Sequence, residues 1–256
     1  MRPIPLAALA LLLAGCAHQG AVEAVRSHPA EEAVQGVAAD AGHFYAIADR
    51  AIGKYRRSDG VRVARWTAPT GSHFKHLNAG FVRDGKLIVA HSNFPVRPDR
   101  SSVEFFDAGD LRHLRTHEFV DPPGSLTWIV PSRAGWLACF AHYARTSDTS
   151  RTRIVELDAD FRILRSMPLA PELLARFGSA SASCGAFGPD GVLHLSGHDA
   201  KELYRVRLPE GDGVVTLDSV IPFPGEGQGF AWDASGSGDL FGILRSRRQV
   251  VIVPAR

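Results

Sequence analysis

One hairpin unit recurs five times along this 256-residue chain, and a chain built that way buries a core only by packing copies of the unit against one another. Each copy opens with a short run that begins in small or amide residues, at 34–39, 78–82, 125–130, 183–187 and 228–232. A turn follows, such as Asp84-Gly85, Ala134-Gly135 or Asp190-Gly191, and then an apolar second run at 44–48, 86–90, 136–141, 192–197 and 239–244. Two further strand-like runs complete the second, third and fourth copies, at 102–107 with 113–119, 153–158 with 161–168, and 202–208 with 214–223. Helical periodicity is confined to 171–177, with Pro171 at its start and Gly178 after it.

Four strands at this spacing make a propeller blade, so the fold expected is all-β, a β-propeller of five four-stranded blades. The fifth copy ends after its third run, 249–253. An open edge there would leave backbone groups unpaired, so a segment near 21–28 is expected to supply the missing outer strand and close the ring.

The first residues serve another purpose. Arg2, an apolar stretch at 4–13 and the tetrad Leu13-Ala14-Gly15-Cys16 have the order of a secretory signal, and the stretch is too short to span a bilayer. The tetrad resembles the lipobox of bacterial lipoproteins, which implies lipidation of Cys16, a tether over 16–31, a single domain over 32–256 and a periplasm-facing envelope location. Ala17 in place of an aspartate points to the outer membrane. Removing 1–15 leaves 256 − 15 = 241 residues, within the size of one all-β domain. A net charge of +2 with scattered basic residues excludes a nucleic-acid-binding surface of the usual kind. Cys139 and Cys184 lie in apolar runs and are expected as buried free thiols rather than a disulfide.

In an antiparallel blade the start of the first strand and the end of the second share one rim. That rim gathers Gln35, Asn78, Ser125 or Thr127, Ser183 and Gln228 with Asp49 or Arg50, His91, His142, His198 and Arg245. Imidazole ligates transition metals and moves protons near neutral pH. Three readings stand side by side. His91, His142 and His198 with Gln228, or with Glu226, hold one zinc or manganese ion. Alternatively, the same histidines work as metal-free acid–base groups with Arg245 stabilising an anion, or they cap loop backbone. Asn78, Gln228, Gln35, Tyr143 and Asp199 are the candidates for contacting substrate. His76 is a further imidazole for the mouth, His73 a loop residue, His113 and His117 exposed, and His194 packed beneath the rim. Trp66, Trp128, Trp136 and Trp232 are expected in the core between blades. The sequence contains no phosphate loop and no nucleophile elbow.

His76-Leu77-Asn78-Ala79-Gly80, Ala90-His91-Ser92-Asn93, Gly124-Ser125-Leu126-Thr127-Trp128, Gly197-His198-Asp199 and Glu226-Gly227-Gln228-Gly229 resemble a family of exported bacterial propellers often labelled "cycloisomerase". The resemblance implies the propeller fold and a site on this rim. Together these features lead to the expectation of a lipid-anchored envelope enzyme of lyase, isomerase or hydrolase type acting on a small polar metabolite or saccharide fragment. A non-catalytic ligand- or partner-binding lipoprotein is the alternative.

Overall fold

A computed structural model describes residues 26–233 and 235–255. The chain enters with β1 (Arg26–Pro29) and then lays down four complete antiparallel sheets. Blade 1 is β2 (Gly36–Ala39), β3 (His43–Ala48), β4 (Ala51–Arg56) and β5 (Arg62–Thr67). Blade 2 is β6 (His76–Arg83), β7 (Lys86–Ser92), β8 (Ser101–Asp107) and β9 (His113–Glu118). Blade 3 is β10 (Ser125–Pro131), β11 (Trp136–Ala141), β12 (Arg153–Leu157) and β13 (Ile163–Pro168), followed by α1 (Pro171–Phe177). Blade 4 is β14 (Cys184–Phe187), β15 (Leu193–Ser196), β16 (Glu202–Arg207) and β17 (Thr216–Pro222). Blade 5 holds β18 (Phe230–Trp232), β19 (Leu240–Leu244) and β20 (Gln249–Val253), and β1 completes it as the outermost strand.

That closure pairs Arg26 with Ile252 and Pro29 with Gln249. The closing strand overlaps the expected 21–28 segment but runs to Pro29 and is paired within what was read as tether. The expected signal and lipobox, with Cys16, fall within 1–25 and lie outside the described residues.

Apolar side chains from facing blades fill the wedges between sheets. Trp128 is fully buried, Trp66 packs edge-on against Phe74 and Phe106, and Trp136 stacks on Phe161 at 5.1 Å. Trp232 packs partly buried against the same core as Trp128. The tryptophans thus have the core roles expected of them.

Near the axis the innermost strands come too close for side chains. A Cβ on Gly229 would sit 2.3 Å from the Gly36 Cα, and one on Gly36 would sit 2.7 Å from the Asn78 carbonyl oxygen. A Cβ on Gly185 would meet the Trp128 ring at 2.6 Å. Glycine is needed at these places for close approach between blades. Hydrogen bonds tie the same strands around the ring: Gly229 N–H to the Gln35 carbonyl (3.0 Å), Leu77 N–H to the Asp49 carbonyl (3.0 Å) and Asn78 Nδ2 to the Leu126 carbonyl (2.9 Å).

Candidate active site at the axial mouth

The end of the ring where β6, β10 and β14 begin carries a run of polar contacts through adjoining blades. Gln35 precedes β2 and Asp49 follows β3; the Gln35 amide donates to Asp49 Oδ1 at 2.9 Å. The same oxygen accepts from Nδ1 of His76, the first residue of β6, at 2.6 Å. The His76 ring approaches Phe94 at 5.5 Å, and Phe94 packs on Tyr143 at 4.3 Å, which carries the rim from blade 2 to blade 3. Tyr143 lies in the loop whose Ala144 N–H donates to the Ser179 carbonyl ahead of blade 4. There His198 Nδ1 meets Asp199 Oδ1 at 2.6 Å, and its Nε2 meets Arg245 Nη1 of blade 5 at 2.9 Å.

These partners fix the proton positions. Arg245 has only donors, so His198 Nε2 accepts, and the proton on Nδ1 is donated to Asp199. Asp49 similarly orients His76 through Nδ1. Burial alone would raise the Asp49 carboxyl; the His76 hydrogen bond and charge, the Gln35 amide and the nearby Arg245 outweigh it and hold Asp49 below its ordinary value. The mouth therefore holds two imidazoles, each oriented by a carboxylate, with a guanidinium against one of them and acting on the other's carboxylate.

The three rim histidines do not assemble into one metal centre. Among the described residues, the one group of three His, Cys, Asp or Glu side chains with ligand atoms within 4.8 Å of one another is His73, His91 and Glu104. The physical reason is offset. His91 lies inside β7, His142 is the first residue beyond β11, and His198 is the second beyond β15. A residue within the second strand faces a neighbouring blade, not the axis. His91 is buried, with Nε2 accepting from the Lys75 N–H (3.0 Å) and Nδ1 donating to Ser102 Oγ (2.8 Å). Burial drives its pKa from 6.5 down to about 4 against the pull of Glu104. His142 turns into the loops of blade 3, donating from Nε2 to the Pro123 carbonyl (2.6 Å) and accepting at Nδ1 from Ser147 (3.1 Å). Burial lowers its pKa too, against the Pro123 carbonyl. These two histidines take the backbone-capping role; His198 alone of the three reaches the mouth.

The other rim residues divide in the same way. Gln35 and Asn78 are buried, and each gives its amide to the protein, Gln35 to Asp49 and Asn78 to the Leu126 carbonyl. Gln228 is buried at positive φ, and its backbone ties blade 4 to blade 5 by accepting from Ser196 Oγ and donating to the Gly197 carbonyl. Asp199 is the accessible member, with its side chain 84% exposed, while Tyr143 is half-buried and burial pushes its phenol up.

Sequence reasoning passed over Glu104. It is fully buried on β8, where Oε1 accepts from Ser102 Oγ (2.6 Å) and faces His73 Nε2 (3.0 Å). Its Oε2 faces His113 Nε2 (2.8 Å) and Thr116 Oγ1 (2.7 Å). Burial would raise the carboxyl, and these four partners together lower it. His113 is thus engaged rather than exposed, and His117 is half-buried, stacked on Phe161 at 4.3 Å. Both depart from expectation because outer-strand side chains of blade 2 lie against aromatic neighbours and Glu104. The signal was a lone carboxylate in the apolar run Val103-Glu104-Phe105-Phe106. His194 packs edge-on against Trp232 near the opposite end of its strand from the mouth.

His73, His91 and Ser102 also line a cavity of about 660 Å³ beneath the 93–100 loop. The cluster has the donor types for a cation, but the Lys75 N–H claims the His91 Nε2 lone pair and keeps the proton on Nδ1. His91 ligates through Nδ1 only by giving up that arrangement. Cys139 and Cys184 are buried free thiols, both pushed up to about 12 by burial.

No family model matches the sequence, and no curated protein matches it. Solved structures resemble it in chain path. A luciferin-regenerating enzyme is 10% identical at TM-score 0.49, covering 89% of this chain and 94% of that one. The WD40 β-propeller domain of Doa1 is 12% identical at TM-score 0.47, covering 91% and 95%. Virginiamycin B lyase from Staphylococcus aureus is 14% identical at TM-score 0.47, covering 85% and 66%. The propeller architecture rests on the five four-stranded sheets themselves, and no family match supports the cycloisomerase label.

Proposed function

We propose that the chain is a lipid-anchored envelope enzyme whose axial mouth performs metal-free acid–base chemistry on a small polar metabolite or saccharide fragment. The observation that carries this reading is the pair of carboxylate-oriented imidazoles, His76 with Asp49 and His198 with Asp199, each at 2.6 Å. An imidazole held by a carboxylate in one tautomer presents its other nitrogen in a fixed direction, the arrangement general acid–base catalysis requires. Arg245 occupies the His198 Nε2 lone pair; a substrate that draws the guanidinium aside leaves that nitrogen free to take a proton. Asp199 then stabilises the imidazolium. His76 on blade 2, having taken a second proton onto Nε2 from solvent before substrate binds, delivers that proton from the other side of the mouth, and His198 later sheds its own to solvent, which suits isomerisation or β-elimination.

The soluble chain starting at residue 17 is to be screened with isomerase, lyase and hydrolase substrates in the presence of a chelator. With turnover found, His198→Asn and His76→Asn each lower kcat/KM by about 10²-fold or more at unchanged unfolding midpoint, whereas His142→Asn leaves it near wild type. Full activity in both mouth variants sinks the acid–base reading. The anchor is tested separately: Cys16→Ser shifts the protein from the membrane to the soluble fraction, and an unchanged membrane fraction refutes lipidation at that residue.

A further inference from the structure

Beside the mouth, between blades 4, 5 and 1, lies a cavity of about 540 Å³ lined by Val34, Asp199, Lys201, Glu226, Arg245, Ser246 and Arg248. Its charges are unevenly matched. Both carboxylates are engaged: Asp199 accepts from His198 Nδ1, and Glu226 accepts from the Ser246 N–H (2.9 Å) and Oγ (2.8 Å). Lys201 and Arg247 act on Glu226 from a distance and, with its Ser246 hydrogen bonds, hold its carboxyl low. The cations are less committed. Arg245 donates to a neutral imidazole nitrogen, and Arg248 to the Glu31 carbonyl at 3.1 Å. Among the described residues, neighbouring acids pair elsewhere, Glu202 with Arg176 and Asp190 with Arg205, and no carboxylate lies within ion-pair distance of Lys201, Arg245 or Arg248. Three cations thus line a cavity with two carboxylates, Glu226 held on both oxygens by Ser246 and Asp199 held on Oδ1 by His198, while Glu31 and Asp49 act on Arg248 and Arg245 only from further off, in a volume suited to a small metabolite.

Resting on the acid–base reading of the mouth, we infer that this cavity docks an anionic group, so that the substrate class is a sugar acid or a phosphorylated sugar. Lys201 and Arg248 hold the anion at the outer wall, and Arg245 turns from His198 towards it. A guanidinium gains more from an anion than from a neutral nitrogen, since charge-assisted hydrogen bonds are the stronger. Docking of the anion therefore frees His198 Nε2 at the moment the substrate arrives. A neutral sugar leaves Arg245 on the imidazole and the base capped. No covalent step is needed at this cavity.

The test is calorimetric binding of D-glucuronate, inorganic phosphate and D-glucose to the chain starting at residue 17, as wild type, Lys201→Gln and Arg248→Gln. Either anion binding at least about fivefold tighter than glucose, with that preference reduced in the two variants and by raising salt, upholds the inference. Glucuronate and phosphate separate a carboxylate from a phosphate as the recognised group. Both anions binding no better than glucose, or a preference untouched by both variants, overturns it. Lys201 and Arg248 lie on the outer wall at partly or fully exposed positions, so an unchanged unfolding midpoint serves as the control for folding. The readout needs no turnover. A screen without turnover leaves an anion preference intact, and turnover of neutral sugars with no anion preference leaves the acid–base site intact.

Discussion

A single residue decides whether a rim histidine belongs to the fold or to the mouth. His91 sits inside its strand, keeps the proton on Nδ1 and titrates only near pH 4, far below the ordinary 6.5. The unfolded chain thus binds a proton on this residue between pH 6.5 and about 4 that the folded chain refuses. Stability from His91 is therefore complete above pH 6.5 and is lost as pH falls through that window, on the order of 3 kcal/mol by the bottom of it. His142 and His194, both lowered mainly by burial, add to the slope in the same direction. Urea midpoints at pH 7.5 and pH 5 measure this: wild type falls steeply, and His91→Gln falls less. An equal slope in the variant would mean that burial of His91 does not set the acid sensitivity.

Most strands could be read from the chain because each apolar run is bounded by a turn with a clear residue signature. β11 and β20 occur at the expected residues, and α1 begins and ends with its Pro and Gly signals. The outer strands β4 and β5 of blade 1 are harder to read, since Ala51-Ile52-Gly53-Lys54 and Arg62-Val63-Ala64-Arg65 mix small and charged residues with the apolar ones. The rim was legible as a list of residues but not as directions. Aligning repeats equates His91, His142 and His198, whereas one or two residues past a strand end change which way a side chain turns. Glu104 was hidden for a different reason: besides Ser102 on its own strand, its partners come from β9 and from the loop ahead of β6. Close packing of innermost strands gives a prediction at this scale. Gly229→Ala places a methyl against the Gly36 backbone and costs about 3 kcal/mol in urea denaturation, because neither strand can retreat without opening a blade interface. A cost near zero would show that the ring has slack at that seam.

The whole molecule is a ring held shut by one short strand. Shortening the chain to begin at Ala30 removes β1 and leaves the edge of β20 unpaired, with Val250, Val251 and Ile252 no longer covered by it. The expected outcome is a Tm lower by roughly 10 °C together with aggregation seen by light scattering, since an open apolar edge recruits other chains. Unchanged melting would place ring stability in the axial contacts instead.

Because Arg26 meets Ile252, the first described strand and the last are partners. A chain made from its N-terminus onwards must carry its closing strand unpaired until nearly every other residue has emerged. Four blades can assemble in order as they appear, but the ring itself closes only once β20 is available, over a loop of more than 200 residues between the paired strands. A ribosome stalled before residue 249 would hold a stack of blades with both seam edges free, a template for pairing with a second such chain.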